Sequence, residues 1–189
     1  MTPIVLFCFT GIWTRFNPKG AFNAFSVGDS LSGSYSYLAN ISDSEVDSTI
    51  GIYDHTGYNY QNYGLKIKSH GVDFFTKQSD VQMNVYIYDN VWSFGNYYDA
   101  FIISSYMNQF SSIDPNIRLD NNQYIFLSFF DFTNTALNND QLFINPVNVP
   151  LFPDRRELEI AVMVYDLLSG WIPSTFYANI TSVYDCNTT

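Results

Sequence analysis

The chain has 189 residues, of which 47% are apolar, 19% aromatic and only 14% charged. That is the length of one ordinary domain, with enough apolar side chains to bury a core, so disorder is not the default. Eight basic residues against 18 acidic ones give a net charge of −10, which argues against nucleic acid or an anionic membrane as partner, because both are gripped by Lys and Arg.

No apolar run approaches the roughly 18 residues of a membrane span. Ile4 to Phe9 is apolar, but no Lys or Arg precedes it and no small-residue cleavage site follows. It therefore reads as a first strand, Ile4 to Thr14, rather than as an export signal. Asn17-Pro18-Lys19-Gly20 has turn chemistry. The clearest strand follows Gly28-Asp29, a pair suited to a turn. There Leu31, Gly33, Tyr35 and Tyr37 alternate with Ser32, Ser34 and Ser36, which places rings on one face and hydroxyls on the other.

Asn40 to Ser48 is a polar, acidic loop, Thr49 to Tyr53 a short strand, and Asp54 to Tyr63 an irregular loop rich in Gly, Asn and Tyr. Leu65 and Ile67 alternate with Lys66 and Lys68 in an edge-like strand whose lysines discourage aggregation. Val72 to Thr76 pairs with it across Ser69-His70-Gly71. Val81, Met83, Val85 and Ile87 point inward from the next strand, with Gln82, Asn84, Tyr86 and Tyr88 outward. A loop carrying Trp92 leads to a less regular strand, Tyr98 to Met107, and to a loop with a turn at Asp114-Pro115-Asn116. Tyr124 to Phe132 is almost continuously apolar, as expected of a strand covered on both faces. Pro146, Pro150 and Pro153 make Asn145 to Asp154 an extended connection. Glu157 to Tyr165 turns Leu158, Ile160, Val162 and Val164 to one face. After a turn at Leu167-Leu168-Ser169-Gly170, Phe176, Ala178, Ile180 and Ser182 form the inner face of the closing strand. Roughly eight to twelve strands with frequent turns predict one all-β domain over residues 1–189, a two-sheet antiparallel sandwich of jelly-roll type with little or no helix.

The two cysteines lie near the ends of the chain. If first and last strands are antiparallel neighbours, a Cys8–Cys186 bridge would close nearly the whole chain and contribute about 4–5 kcal/mol in the loop-entropy picture. The alternative is two unrelated thiols, with Cys8 a small buried residue. Asp43, Glu45 and Asp47 offer the oxygen ligands that calcium takes, though without the spacing of a known calcium loop; no other cofactor is expected. Glu157 and Glu159 share one face of a strand, as a glycosidase pair could, but their charged neighbours favour a solvated surface. His55 and His70 sit in separate loops and read as surface histidines. The tyrosines are the open question. Tyr58, Tyr60 and Tyr63 cluster with Tyr53 in one loop, Tyr86 and Tyr88 share a strand face, and Tyr97-Tyr98 follow Trp92. Such rings either stack on sugars or a protein partner, or fold over the sandwich edge as a satellite core. Three tripeptides, at Asn40, Asn179 and Asn187, fit the N-glycosylation sequon.

Phe9-Thr10-Gly11-Ile12-Trp13-Thr14, then Val27-Gly28-Asp29 through Gly33-Ser34-Tyr35-Ser36-Tyr37, then Gly51-Ile52-Tyr53 resemble the opening of a group of uncharacterised exported bacterial β-sandwich proteins. Members of that group often end in a PEP-CTERM sorting tail. Leu127 to Leu137, with Asp131 and Thr133, and the closing Ala178-Asn179-Ile180-Thr181-Ser182 are similar to further segments of that group. The tail's own Val-Pro-Glu-Pro motif and apolar helix have no counterpart here, so anchoring is not carried over. The resemblance implies export and a place at the cell envelope or in the extracellular matrix, and it assigns no catalytic residue. The sequence thus points to a non-enzymatic structural or interaction module. A carbohydrate-binding module using the Tyr and Trp loops is the alternative, and a sandwich-fold glycoside hydrolase the third reading. Polysaccharide and cell-surface protein are the two partner classes.

Overall fold

The structure, a computed structural model, describes residues 4–17, 25–57, 63–93, 95–110, 123–166 and 170–188. The turns expected at 17–20, 114–116 and 167–170 lie wholly or largely outside them. The described residues are nearly all β: β1 (Ile4–Asn17), β2 (Ser30–Leu38), β3 (Ile50–Asp54), β4 (Gly64–Ser69), β5 (Val72–Phe75), β6 (Gln82–Ser93), β7 (Asn96–Tyr106), β8 (Gln109–Phe110), β9 (Tyr124–Asp131), β10 (Arg155–Asp166) and β11 (Gly170–Asp185). Among them, no helix is long and apolar enough to cross a membrane.

The eleven strands form one antiparallel sheet, in the order β3-β6-β7-β9-β10-β11-β1-β2-β4-β5-β8, curled into a half-barrel. This differs from the expected pair of hydrogen-bonded sheets. The reason lies in β1 and β11, which stay paired from Phe7↔Asp185 to Asn17↔Thr175. A sandwich would require strands to leave one sheet for the other. Here β1 instead carries register shifts at Thr10/Gly11 and Trp13/Arg15, and such bulges bend a strand and increase its twist without ending its pairing.

Curling brings non-neighbouring strands face to face. The Tyr35 ring of β2 lies 6.0 Å from Phe101 of β7. Thr76, just after β5, shares a 2.8 Å hydroxyl bond with Ser105 of β7, and β8 completes the turn by pairing with β5. The alternations on β2 and β6 hold as expected: Leu31, Tyr35, Tyr37, Val81, Met83, Val85 and Ile87 are all buried in one core. Each such side chain contributes about 1.5–3 kcal/mol of burial. Gly33 keeps the inward period of β2 because a Cβ there would lie 2.4 Å from the Phe9 ring. The β4–β5 hairpin turns on His70 and Gly71, both at positive φ (47° and 78°), as a two-residue turn that matches strand twist requires.

The strand-poor stretch between β9 and β10 packs against the core. Val147, Val149 and Phe152 are buried, the Phe143 ring lies 5.0 Å from Phe101, and the Tyr37 and Tyr53 hydroxyls donate to the Phe143 and Asp140 carbonyls. Two buried carboxylates hold its start. Asp99 accepts the Asn90 and Leu137 amides, and Asp131 accepts the amides and hydroxyls of Thr133 and Thr135. Burial alone would raise the Asp131 carboxyl, but those hydrogen bonds outweigh it and hold the group below its ordinary value.

Candidate binding face

With the inner face committed to the core, any recognition surface lies on the outer face or the loops. Strand register builds that surface row by row. One row runs Asn84–Ser104–Phe126–Glu159–Tyr177–Arg15 across six strands, and the next runs Tyr86–Ile102–Ser128–Glu157–Asn179–Ile12. Tyr106 pairs with Tyr124 on one side of these rows, and Phe130 with Arg155 on the other. Tyr124, Phe126 and Phe130 are therefore the outward residues of β9. The expected second cover over β9 is replaced by mutual shielding. Each is half-buried by its neighbours, with Tyr106 and Tyr124 set at 86° and 85° to the Phe126 ring. Tyr98 links the patch to β6, 5.8 Å from both Tyr88 and Phe130.

Charged groups sit among these rings rather than around them. Glu159 Oε1 accepts the phenols of Tyr124 at 2.8 Å and Tyr177 at 3.3 Å. Burial first, and then the Glu159 carboxylate, push both phenols above their ordinary value. Glu157 accepts Arg15 Nη2 at 3.2 Å and also pairs with Arg155 through Nε and Nη2. The Arg15 guanidinium lies 4.0 Å from the centre of the Tyr177 ring. Between β7, β9 and β10 this leaves an open hollow of about 450 Å³, lined by Tyr106, Tyr124, Phe126, Phe130, Arg155 and Glu159 among others.

The outer face of β1, β2, β4 and β5 has different chemistry. A groove of about 500 Å³ there is lined by Ser32, Ser34, Lys66, Lys68, Phe75 and Tyr184 among others. Lys68 pairs with Asp73 at 3.8 Å, and both are largely exposed.

Of the tyrosines singled out from the sequence, Tyr58 and Tyr60 lie outside the described residues. Tyr63 is buried, its hydroxyl donating to the His55 carbonyl at 3.4 Å. Tyr86 and Tyr88 stack on the outer face at 6.3 Å and 9°. Trp92 and Tyr97, 60% and 53% exposed, pair at 4.9 Å where β6 meets β7. The structure thus brings Tyr86 and Tyr88 to the aromatic face and sets Tyr63 apart from it. Tyr106, Tyr124, Phe126, Phe130 and Tyr177, which complete the face together with Tyr98, were not singled out. For Tyr124, Phe126 and Phe130 the signal was the outward alternation on β9, which becomes readable only once cross-strand register is known.

The acidic loop lies along the edge of β3. Asp43 Oδ1 accepts the Glu45 and Ile52 amides, and the Ser44 amide donates to the Ile52 carbonyl. Glu45 accepts the Val46 amide. Asp47 accepts the Thr49 amide and hydroxyl, which lower its carboxyl from the ordinary value. Each carboxylate thus serves its own loop, which covers an edge otherwise open to pairing. Among the described residues no group of three or more His, Cys, Asp or Glu side chains is placed to hold a metal ion.

Cys8 and Cys186 are joined by a disulfide across a Cα separation of 5.1 Å. The surface reading of the histidines needs correction for His55, which is fully buried. Its Nε2 accepts the Leu38 amide at 3.2 Å, so Nδ1 carries the proton donated to the Tyr53 carbonyl at 3.0 Å. Burial pushes this imidazole down, against the upward pull of the Tyr53 carbonyl and of Asp54. His70 is more exposed and pairs with Asp29 at 3.0 Å.

No family model matches the chain, and no curated protein or solved structure matches it.

Proposed function

We propose that the chain is an exported, non-enzymatic interaction module that works at a cell surface or in an extracellular matrix. Its contact surface is the outer aromatic face of β6, β7, β9, β10 and β11. The observation that carries this reading is the cluster of half-exposed rings on β6, β7, β9 and β11, interrupted on β10 by charged groups that are already paired. A sheet packed on its inner face alone has no need of rings outside, where hydroxyls would be soluble and equally strand-compatible.

Two further features support the reading. A disulfide closing 178 residues of chain suits an oxidising compartment, in line with the export implied by the resemblance. Glu157 and Glu159 lie two residues apart on one convex strand, the first between two guanidiniums and the second under two phenols. They do not face each other across a cleft, as the two carboxyls of a glycoside hydrolase must.

The test is adhesion of the purified protein to isolated bacterial envelope and matrix material. Phe126→Ala is expected to reduce retention strongly, and Ser34→Ala on the opposite outer face to leave it unchanged. Equal retention of both variants would remove the aromatic face from the account.

A further inference from the structure

We propose that the hollow between β7, β9 and β10 is a binding site for an uncharged glycan chain. This rests on the reading of the aromatic face as a contact surface and adds the chemical class of what it holds.

The shape comes from three rings. Tyr106 and Tyr124 stand nearly perpendicular to Phe126, with centroids 5.9 and 5.1 Å away. Rings stacked flat would cover one another, whereas this corner leaves ring surface open to a ligand. Phe130 continues the apolar surface toward β10, with the Arg155 guanidinium 5.6 Å from its centroid. A hexose ring presents the matching shape: an apolar face of C–H groups for the rings, with hydroxyls around its edge.

The polar groups fit those hydroxyls. Glu159 gives Oε1 to two phenols, which leaves Oε2 without a partner among the described residues. Arg155 gives Nε and Nη2 to Glu157, which leaves Nη1 as a spare donor. Neighbouring hydroxyls can each donate and accept, so an acceptor and a planar donor at the rim of one apolar floor suit them.

Charge decides against the other partner classes. Arg15 and Arg155 are balanced by Glu157 and Glu159, so the patch carries no net charge to offer an ionic ligand, while the chain's −10 repels a polyanionic polymer. A protein interface would keep its centre apolar and its charges at the rim, but here the paired charges lie among the rings. The hollow is also open and continuous with Tyr98, Tyr88 and Tyr86, as an extended chain requires.

The experiment is gel electrophoresis of the folded protein in the presence of hydroxyethylcellulose, galactomannan, soluble starch or dextran, with alginate as an anionic comparison. Retardation by at least one neutral polymer is expected. Phe126→Ala should weaken it about tenfold, the loss of roughly one good contact. Glu159→Gln should weaken it by a smaller factor, because an amide supplies only one acceptor oxygen, already claimed by the phenols. Tyr124→Phe keeps the ring and guards against misfolding of the alanine variant, and it should stay within about threefold of the parent. Trp92→Ala should change nothing. Retardation by none of the neutral polymers, by alginate alone, or equally for parent and Phe126→Ala would overturn the proposal. If none retards while Phe126→Ala still loses envelope adhesion, the face stands and the glycan class is wrong. If adhesion is also unchanged in that variant, both fail.

Discussion

The outer faces of the two halves of the sheet differ sharply, although they enclose the same core. On β2, β4 and β5 the outward positions include Ser30, Ser32, Ser34, Lys66, Lys68, Asp73 and Phe75, mostly polar, while β1 at the seam turns out Ile4, Leu6 and Ile12 beside Thr10. On β6, β7, β9, β10 and β11 they are Tyr86, Tyr88, Tyr98, Tyr106, Tyr124, Phe126, Phe130 and Tyr177, with two Arg–Glu pairings among them. Strand formation demands an apolar inner face from both halves and asks nothing so specific of the outer one. The serine half is what a folded sheet needs in water. The aromatic half goes beyond that, and the surplus is what the proposed contact surface rests on.

The comparison can be strained at several points. The largest effect is expected from Cys8→Ser, which opens the bridge behind the serine groove and should cost about 4 kcal/mol by the loop-entropy argument. Denaturant unfolding measures the loss. Amide exchange should show β1, β2 and β4 losing protection before β7 and β9, and a loss spread evenly over both halves would mean that they do not behave as separable faces. Next comes Asp99→Ala, which strips the Asn90 and Leu137 amides of their acceptor on the aromatic side. Losing these two part-buried hydrogen bonds to a carboxylate should lower stability by about 2 kcal/mol, read from the shift in urea midpoint.

A paired substitution then sharpens the contrast itself. Phe126→Ala should destabilise the fold by about 1 kcal/mol, since its ring is only half-buried. Ser34→Ala should stay within about 0.5 kcal/mol of the parent. If the two costs are equal, the rings shield each other no better than the serines do. The smallest effect is a slope with pH. His55 joins the end of β2 to β3 as a neutral imidazole, and the neighbours facing it are Tyr37, Tyr63 and Asp54. Its folded value lies below the ordinary one of about 6.5. Its contribution is therefore complete above about pH 6.5 and is lost as pH falls from there toward the folded value. His55→Gln should flatten that part of the curve. The loss tied to Asp131 belongs below about pH 4, because its carboxyl is also depressed.

Much of the inner face was legible from single strands. The alternations Leu31-Tyr35-Tyr37 and Val81-Met83-Val85-Ile87 gave the buried side without any knowledge of pairing, and Ser69-His70-Gly71 gave the β4–β5 turn. Two of the turns are held by a carboxylate: Asp29 accepts the Ser26 amide, and Asp131 holds Thr133 and Thr135. What the sequence could not supply was relation between strands. Whether β1 leaves the sheet or bends within it depends on bulges at Thr10 and Trp13, which carry no marker of their own. The tyrosines drew attention by clustering along the chain, yet Tyr63 is buried. The face is assembled from Tyr106, Phe126 and Tyr177, residues far apart in sequence and neighbours only by register.

The most direct measurement is footprinting of the protein with and without envelope material, combining radical oxidation of rings with acetylation of lysines. Protection of Tyr106, Tyr124, Phe126 and Phe130, with Lys66 and Lys68 equally reactive in both states, is the result expected. Protection of the two lysines with the rings left open, or of neither half, would contradict it.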